Sequence, residues 1–278
     1  MRIAISAEST IDLPKEMLEK FNIKTVPFTV VMGEEEYFDG EFELQQVFDF
    51  VSKTKKLPHT SAVNKVQYEE HFNKLLQEYD AIIHFSMSSK SSSAVFNAQS
   101  VASEMKNVYV VDTLSLSGGI ALLAMKARKF VDQGKSVEEI LAEINELIPK
   151  ITVAVVVDKL NYLHAGGRCS GLTLFGANLL GIKPQLLVKN GQITAAKKFI
   201  GKIEGVVKKH CEDVFNTFAD YDKENAFIAH AAASEQMIEN AKQCLIARGF
   251  KNIYVMSVGS TIACHTGPKA LGIMFINK

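Results

Sequence analysis

The sequence predicts an α/β protein of two lobes, an N-terminal lobe with a mostly parallel sheet covered by helices and a C-terminal lobe with a mixed sheet and helices. Through the first half, short β-branched runs alternate with stretches whose apolar residues recur at helical spacing. Near residue 150 the texture changes, and Asn190-Gly191, a hairpin-turn dipeptide, falls between two strand-like runs. At 278 residues, 47% hydrophobic and 22% charged, the chain is long enough to bury two modest cores. Residues 1–150 are therefore assigned to the first lobe and residues 151–278 to the second.

Taken in order, residues 2–6, 24–31, 81–85 and 108–112 are rich in Val and Ile and read as strands. Residues 44–52, 65–77, 93–105 and 116–132 carry apolar residues at helical spacing between them. Pro14 suits the first residue of a helix and Asp12 its cap, while residues 31–41 read as an acidic loop. The second lobe opens with a strand at 151–157 and a hairpin of residues 183–188 and 192–198 about Asn190-Gly191. A helix at 201–218, a strand at 226–230, a helix at 234–248 and strands at 252–258, 261–264 and 271–276 complete it.

Lys plus Arg equal Asp plus Glu at 31 each, so there is no basic surplus to neutralise a phosphate backbone, and nucleic acid is not an expected partner. The N-terminus turns polar at Glu8, and no stretch approaches the roughly 18 apolar residues of a membrane span. A cytoplasmic location is expected, with membrane contact at most transient. Cys169, Cys211, Cys244 and Cys264 are scattered, without the close spacings of a metal site, and read as reduced and mostly buried.

Polar segments at strand ends carry whatever chemistry an open α/β sheet has. Thr60-Ser61 is a hydroxyl pair before a helix, which a plain N-cap would also explain. Residues 86–93 hold six serines in eight positions, more than capping requires, and lead into a helix whose free N–H groups favour an anion. His265 lies in a strand end and tight turn. Hydroxyls with one imidazole, and no surplus of either charge, suit a carboxylate better than a metal or a polyphosphate. Gly166-Gly167 permit a tight turn that projects Arg168 outward. Residues 172–182 are apolar and broken by small residues, as in plain core or in the wall of a narrow cavity.

These segments together resemble the DegV family along the whole chain. An STxDLP-like start at residues 9–14 is followed by Thr60-Ser61, an SSxLSGT-like loop at 88–94 and a VVDS-like strand at 110–113. A YLxxGGR segment at 162–168, Ile182-Lys183-Pro184 and an HxGPxxxG ending at 265–272 follow in the family's order. The resemblance implies two α/β lobes with one long-chain fatty acid between them, its carboxylate at the lobe junction and its tail in the second lobe. By the same resemblance Thr60, Ser92 and His265 are the carboxylate-binding trio, with Ser61 and the backbone of Ser93 adjacent, and Arg168 serves the surface that meets a partner fatty acid kinase. That kinase would convert the presented carboxylate to an acyl-phosphate. No further cofactor is implied, only the bound fatty acid. The chain departs from the family pattern at Glu8, where Asp is usual, and at Ser91, Ser93 and Ala94, which replace Leu, Gly and Thr.

The physics of such a ligand fits. Removing an acyl chain of about 16 carbons from water gains roughly 10 kcal/mol before ordering costs, so an enclosed apolar tunnel is favoured. Its carboxylate must be met by donors, because an unpaired buried charge costs several kcal/mol. The chain has neither GxxxxGK[ST] nor GxGxxG, so a phosphoryl donor would come from another protein, and no enzyme activity of its own is expected. The alternative is a serine-dependent hydrolase of an acyl ester, with Ser92 as nucleophile and His265 as its base, although the serine-rich loop lacks a G-x-S-x-G elbow. A transcriptional or scaffold role has no helix-turn-helix signature behind it.

Overall fold

The computed structural model describes residues 1–170 and 181–278. Strand β1 (Ile3–Glu8) is buried along its whole length, as a strand flanked on both sides and covered on both faces must be. It pairs in parallel with β2 (Ile23–Val26) after helix α1 (Lys15–Lys20). Residues 24–31 do not form one strand: Pro27, which has no N–H for a ladder, ends β2, and β3 (Thr29–Met32) joins a separate sheet. The expected acidic loop is itself a hairpin, since β4 (Glu35–Phe38) folds back on β3 around Gly33, whose φ of 75° the turn requires. Helix α2 (Leu44–Thr54) then leads to β5 (His59–Ser61), which pairs with the other side of β3.

Helix α3 (Lys65–Leu76) starts at Asn64, whose side chain and that of Gln67 form a reciprocal capping box, so Thr60-Ser61 is not the cap. Strand β6 (Ala81–Ser86) pairs in parallel with β1, and beyond helix α4 (Ala94–Ala102) strand β7 (Val108–Asp112) completes a four-stranded parallel sheet in the order β2-β1-β6-β7. Helix α5 (Gly118–Asp132) begins with two glycines that press on the second sheet: a Cβ on Gly118 would lie 2.9 Å from Phe227 Cβ, and one on Gly119 would lie 2.8 Å from Val153 Cγ2. Helix α6 (Val137–Leu147) escaped the sequence reading, although Ser136 and Glu139 form a capping box and Val137, Ile140 and Ile144 keep helical spacing.

The second sheet has seven strands. Strand β8 (Ile151–Val156) leads through helix α7 (Asn161–Gly166) and the two-residue β9 (Cys169–Ser170) to the hairpin β10 (Ile182–Lys189) and β11 (Gln192–Ile200). Helix α8 (Ile203–Thr217), β12 (Asn225–Ala231), α9 (Glu235–Ala247), β13 (Asn252–Ser257), α10 (Ser260–Thr266) and β14 (Ala270–Ile276) follow, and the order is β13-β12-β14-β8-β10-β11-β9. Ladders of both directions make this a mixed sheet. One core joins the first sheet, α5 and the near face of the second sheet. Another lies on the far face beneath α8 and α9, where Phe215, Tyr221, Phe250 and Phe275 cluster.

Two further expectations give way. Asp12 is not a helix cap: Pro14 takes that position, and Asp12 is a buried residue at φ 59° after a short 3-10 turn. Residues 261–264 are helix, not strand. Thr-Ile-Ala-Cys has strand-like composition, but Asp12 and Asp39 hold the start of α10, and Gly267 ends it at φ 71°. The apolar stretch at 172–182 lies outside the described residues except for Gly181 and Ile182.

Candidate functional site

Between the two larger sheets lies an apolar cavity of about 220 Å³. Phe28, Met87 and Leu116 wall it from one side and Val153, Val155 and Leu186 from the other, so both halves of the chain contribute. Val155 and Leu186 are direct partners across the β8–β10 ladder and line the floor side by side.

One end of this chamber is polar. Thr60 on β5 and His265 in the last turn of α10 meet there, with Thr60 Oγ1 2.8 Å from His265 Nε2. Burial, and next to it the Arg168 guanidinium, push the His265 imidazole down to about 4, so it is neutral at pH 7. Its Nδ1 has no hydrogen-bond partner among the described residues and packs over Gly166, where a Cβ would lie 2.5 Å away. Ser91, Ser92 and Ser93, just ahead of α4, line the same cavity, and Ser92 Oγ accepts the Ala94 N–H at 3.2 Å. Ser91 Oγ and Thr261 Oγ1, both buried lining groups, have no hydrogen-bond partner among the described residues. Together with His265 Nδ1 they leave unmet polar capacity around an apolar cavity.

The loop that bears the serines is set by Glu8. Fully buried, it accepts from Tyr68 Oη at 2.6 Å, Ser86 Oγ at 2.6 Å and His84 Nε2 at 3.1 Å, and from the Met87 N–H at 2.8 Å. Burial alone would raise its pKa, but the charge and hydrogen bond of His84, with the hydroxyls, hold it below the usual carboxylate range. The longer side chain at this position thus reaches across β6 to fix the strand end from which the serines depart.

Helix α10 is fastened from the first half of the chain. Asp39 accepts from Ser260 Oγ at 2.6 Å, Thr261 N–H at 3.3 Å and Ser9 Oγ at 2.9 Å, while Asp12 accepts the Gly259 N–H at 2.8 Å. Burial raises Asp12 to about 8 against that hydrogen bond. These contacts carry Thr261 and His265 to the chamber.

Thr60, Ser92, Ser93 and His265 all line this one cavity, and of them Thr60 and His265 are in hydrogen-bond contact. Ser61 is not among the described lining residues. Its side chain is exposed, because successive residues of β5 face opposite sides and Thr60 takes the inner one. Arg168 is exposed and donates from Nη1 to Gly166 O at 2.6 Å, and it lines the chamber mouth as well as an adjoining cleft of about 670 Å³. Thr60 and His265 are shared with that cleft, to which Lys55, Lys56 and His59 add cationic and imidazole groups. Sequence reasoning missed Asp39 and noted Glu8 only as a departure from the family pattern, not as the anchor of the serine loop. A carboxylate in a run buried on both faces was the legible signal for Glu8, whereas nothing local marked Asp39. Ser92 and His265 do not form a nucleophile–base pair, for His265 Nε2 is bonded to Thr60 and its Nδ1 has no partner among the described residues. Among the described residues no group of His, Cys, Asp and Glu forms a metal cluster, and no helix is long and apolar enough to cross a membrane.

An α/β fold with a parallel sheet in the first half and a mixed sheet in the second matches solved DegV structures, and the chain belongs to that family: the family model described as "Uncharacterised protein, DegV family" matches residues 2–278. A DegV domain-containing protein of Clostridium acetobutylicum is 33% identical over 283 aligned positions, covering 100% of this chain and 99% of that one. A protein of Thermotoga maritima called a fatty acid-binding protein is 28% identical, with 98% and 96% covered. Among solved structures, a DegV family protein from Thermus thermophilus described for its fatty acid binding superposes with a TM-score of 0.93 at 29% identity, covering 100% of both chains. DegV of Bacillus subtilis, described as a fatty acid binding protein, gives 0.85 at 27% identity, again over 100% of both chains.

Proposed function

We propose that this protein binds one long-chain fatty acid, with the acyl chain in the chamber and the carboxylate at the Thr60–His265 end, and presents that carboxylate to a partner fatty acid kinase for conversion to an acyl-phosphate. The observation that carries the reading is the Thr60–His265 hydrogen bond at the polar end of an otherwise apolar chamber. Ser92 and the backbone of Ser93 supply the remaining donors, and relatives described as fatty-acid-binding proteins share the fold. A neutral imidazole and neutral hydroxyls meet a carboxylate without drawing in a competing cation. Arg168 and the cation-bearing cleft form the face turned to the partner, since they adjoin the carboxylate from the solvent side. The lobes divide near residue 150, just before β8, and no nucleotide-binding loop motif occurs in the sequence.

Mass spectrometry of a solvent extract of the purified protein should reveal a fatty acid, and calorimetry on delipidated protein should return its affinity. Thr60→Val, Ser92→Ala and His265→Ala each remove a hydrogen bond to a charged group and should weaken that affinity by about 10- to 150-fold. With a fatty acid kinase supplied, Arg168→Ala should reduce acyl-phosphate formation more than it reduces affinity. Delipidated protein that binds no acid of any length would refute the reading. Binding without kinase-dependent turnover would refute only the presentation step.

A further inference from the structure

The polar end is one limit of the chamber; the other lies where β8 and β10 part. Their ladder holds only three pairs, Gln185↔Val156, Leu186↔Val155 and Leu187↔Ala154. Beyond it β8 stays paired with β14 as far as Ile151↔Ile276, and β10 stays paired with β11 as far as Lys189↔Gln192. Each strand keeps its outer partner while the two diverge from one another.

A cavity of about 610 Å³ fills the gap. It is lined by three consecutive residues of each strand, Ile151, Thr152 and Val153 on β8 and Leu187, Val188 and Lys189 on β10. Consecutive strand residues face opposite sides of a sheet, so a cavity touching all of them passes through the sheet rather than lying on one face. Phe218, from the far side, lines it too. Val153, Leu187 and Val188 also line the acyl chamber, so the two spaces are separated by no more than one layer of side chains. Among the described residues the other apolar continuation, past Leu116, Val155 and Ile262, holds only about 30 Å³, room for about one water-sized group.

We propose that this gap is a rear port of the acyl chamber, through which the methyl end of a chain longer than the chamber crosses the sheet into the larger cavity. The proposal rests on the reading that the chamber holds a fatty acid. Its chemistry is simple: the seam is aliphatic, so a chain end slides past Val153 and Val188 without breaking a hydrogen bond, and beyond it meets Phe218, Leu114 and Pro149. The acceptable chain length is then set by the seam rather than by a closed wall.

The test blocks the port from outside. Asn145 and Lys189 are exposed, line the rear cavity and do not line the chamber. In the unmodified protein, affinity measured by calorimetry over acids of about 12 to 20 carbons should keep rising, by up to about fourfold per methylene. An Asn145→Trp/Lys189→Trp variant should follow the same curve for short acids, which also reports its folding, then flatten, ending about tenfold or more below the parent for the longest acid. A second measurement needs no variant: a stearate carrying a nitroxide near its methyl end should be relaxed by a water-soluble paramagnetic agent, and one labelled near the carbon chain's middle should be shielded. Identical length curves for parent and variant, or a methyl-end label as shielded as the middle one, would overturn the port while leaving fatty-acid binding intact. Failure of every acid to bind the parent would overturn both.

Discussion

His265 has one ring nitrogen engaged by Thr60 and the other pressed against a glycine, so its position depends on what Gly166 lacks. The paired glycines are legible as a turn, and Gly167 does adopt φ 63° there, but Gly166 has a different purpose: it leaves room for the ring. Gly166→Ala should therefore displace His265 and cost about tenfold in fatty-acid affinity while the melting temperature changes little, a split that calorimetry and thermal unfolding would resolve. An unchanged affinity would mean the ring has room elsewhere. Buried neutral imidazoles also set the acid limit of stability. His210, fully buried on the far side of the second sheet, is pushed by burial down to about 4, as His265 is. Both stay neutral in the fold, while in the unfolded chain they take up protons below about 6.5. The unfolded state then binds more protons, so stability falls as pH drops from about 6.5 to about 4, by on the order of 1.4 kcal/mol per pH unit for a fully buried histidine. Urea unfolding at several pH values across that interval should show this slope, and His210→Gln should reduce it without abolishing it, because His265 and His71, also held neutral by burial, remain. The trio Thr60, Ser92 and His265 was proposed from the family's motifs, and the fold brings Thr60 and His265, 205 positions apart, into hydrogen-bond contact. Asp39 was not legible, because its partners Ser260 and Thr261 are 221 and 222 positions away.

Two helix starts in this chain are written in the local sequence, and that of α10 is not. Asn64 with Gln67 and Ser136 with Glu139 are capping boxes that any reader of the sequence can find, and the second identifies α6, which hydrophobic spacing alone had not brought out. The start of α10 has no side-chain cap of its own; Asp39 and Asp12 supply the acceptors from far away, which is why its β-branched residues read as a strand. Substitutions should separate the two kinds. Ser136→Ala should lower stability by about 1 kcal/mol and leave affinity for the acid unchanged, since α6 starts away from the polar end. Asp39→Ala strands the buried donors of Ser9, Ser260 and Thr261, and should lower stability by about 1–3 kcal/mol or more and fatty-acid affinity together, because α10 carries His265. Equal effects of the two variants on affinity would contradict this division.

At the scale of the molecule, the alternation of strands and helices was enough to give the parallel sheet and its buried centre, β1 and β6. Periodicity does not say which sheet a strand joins, and so the exit of β3 into a three-stranded sheet at Pro27 was invisible. Nor does composition reveal that two glycines at the start of α5 let the sheets close on each other. The chamber exists because of that closure. Its walls come from both halves, and the hairpin turn of β10 and β11 is itself docked to the first half, Ser88 Oγ donating to Gly191 O at 2.7 Å.

The place of β14 bears on how the chain is made. Last of the described strands in sequence, it lies in the interior of the seven-stranded sheet between β12 and β8, with all seven of its residues buried, and it covers part of α5. A ribosome releases the first sheet and α5 long before this strand, so the nascent chain carries an uncovered apolar helix face and an open slot between β8 and β12 until β14 itself has been made. Nascent chains stalled just short of Ala270 should accordingly be protease-sensitive across α5 and retained by holding chaperones, and extension through Ile276 should abolish both. Protection of α5 in the shorter chains would show that the first half completes its packing alone.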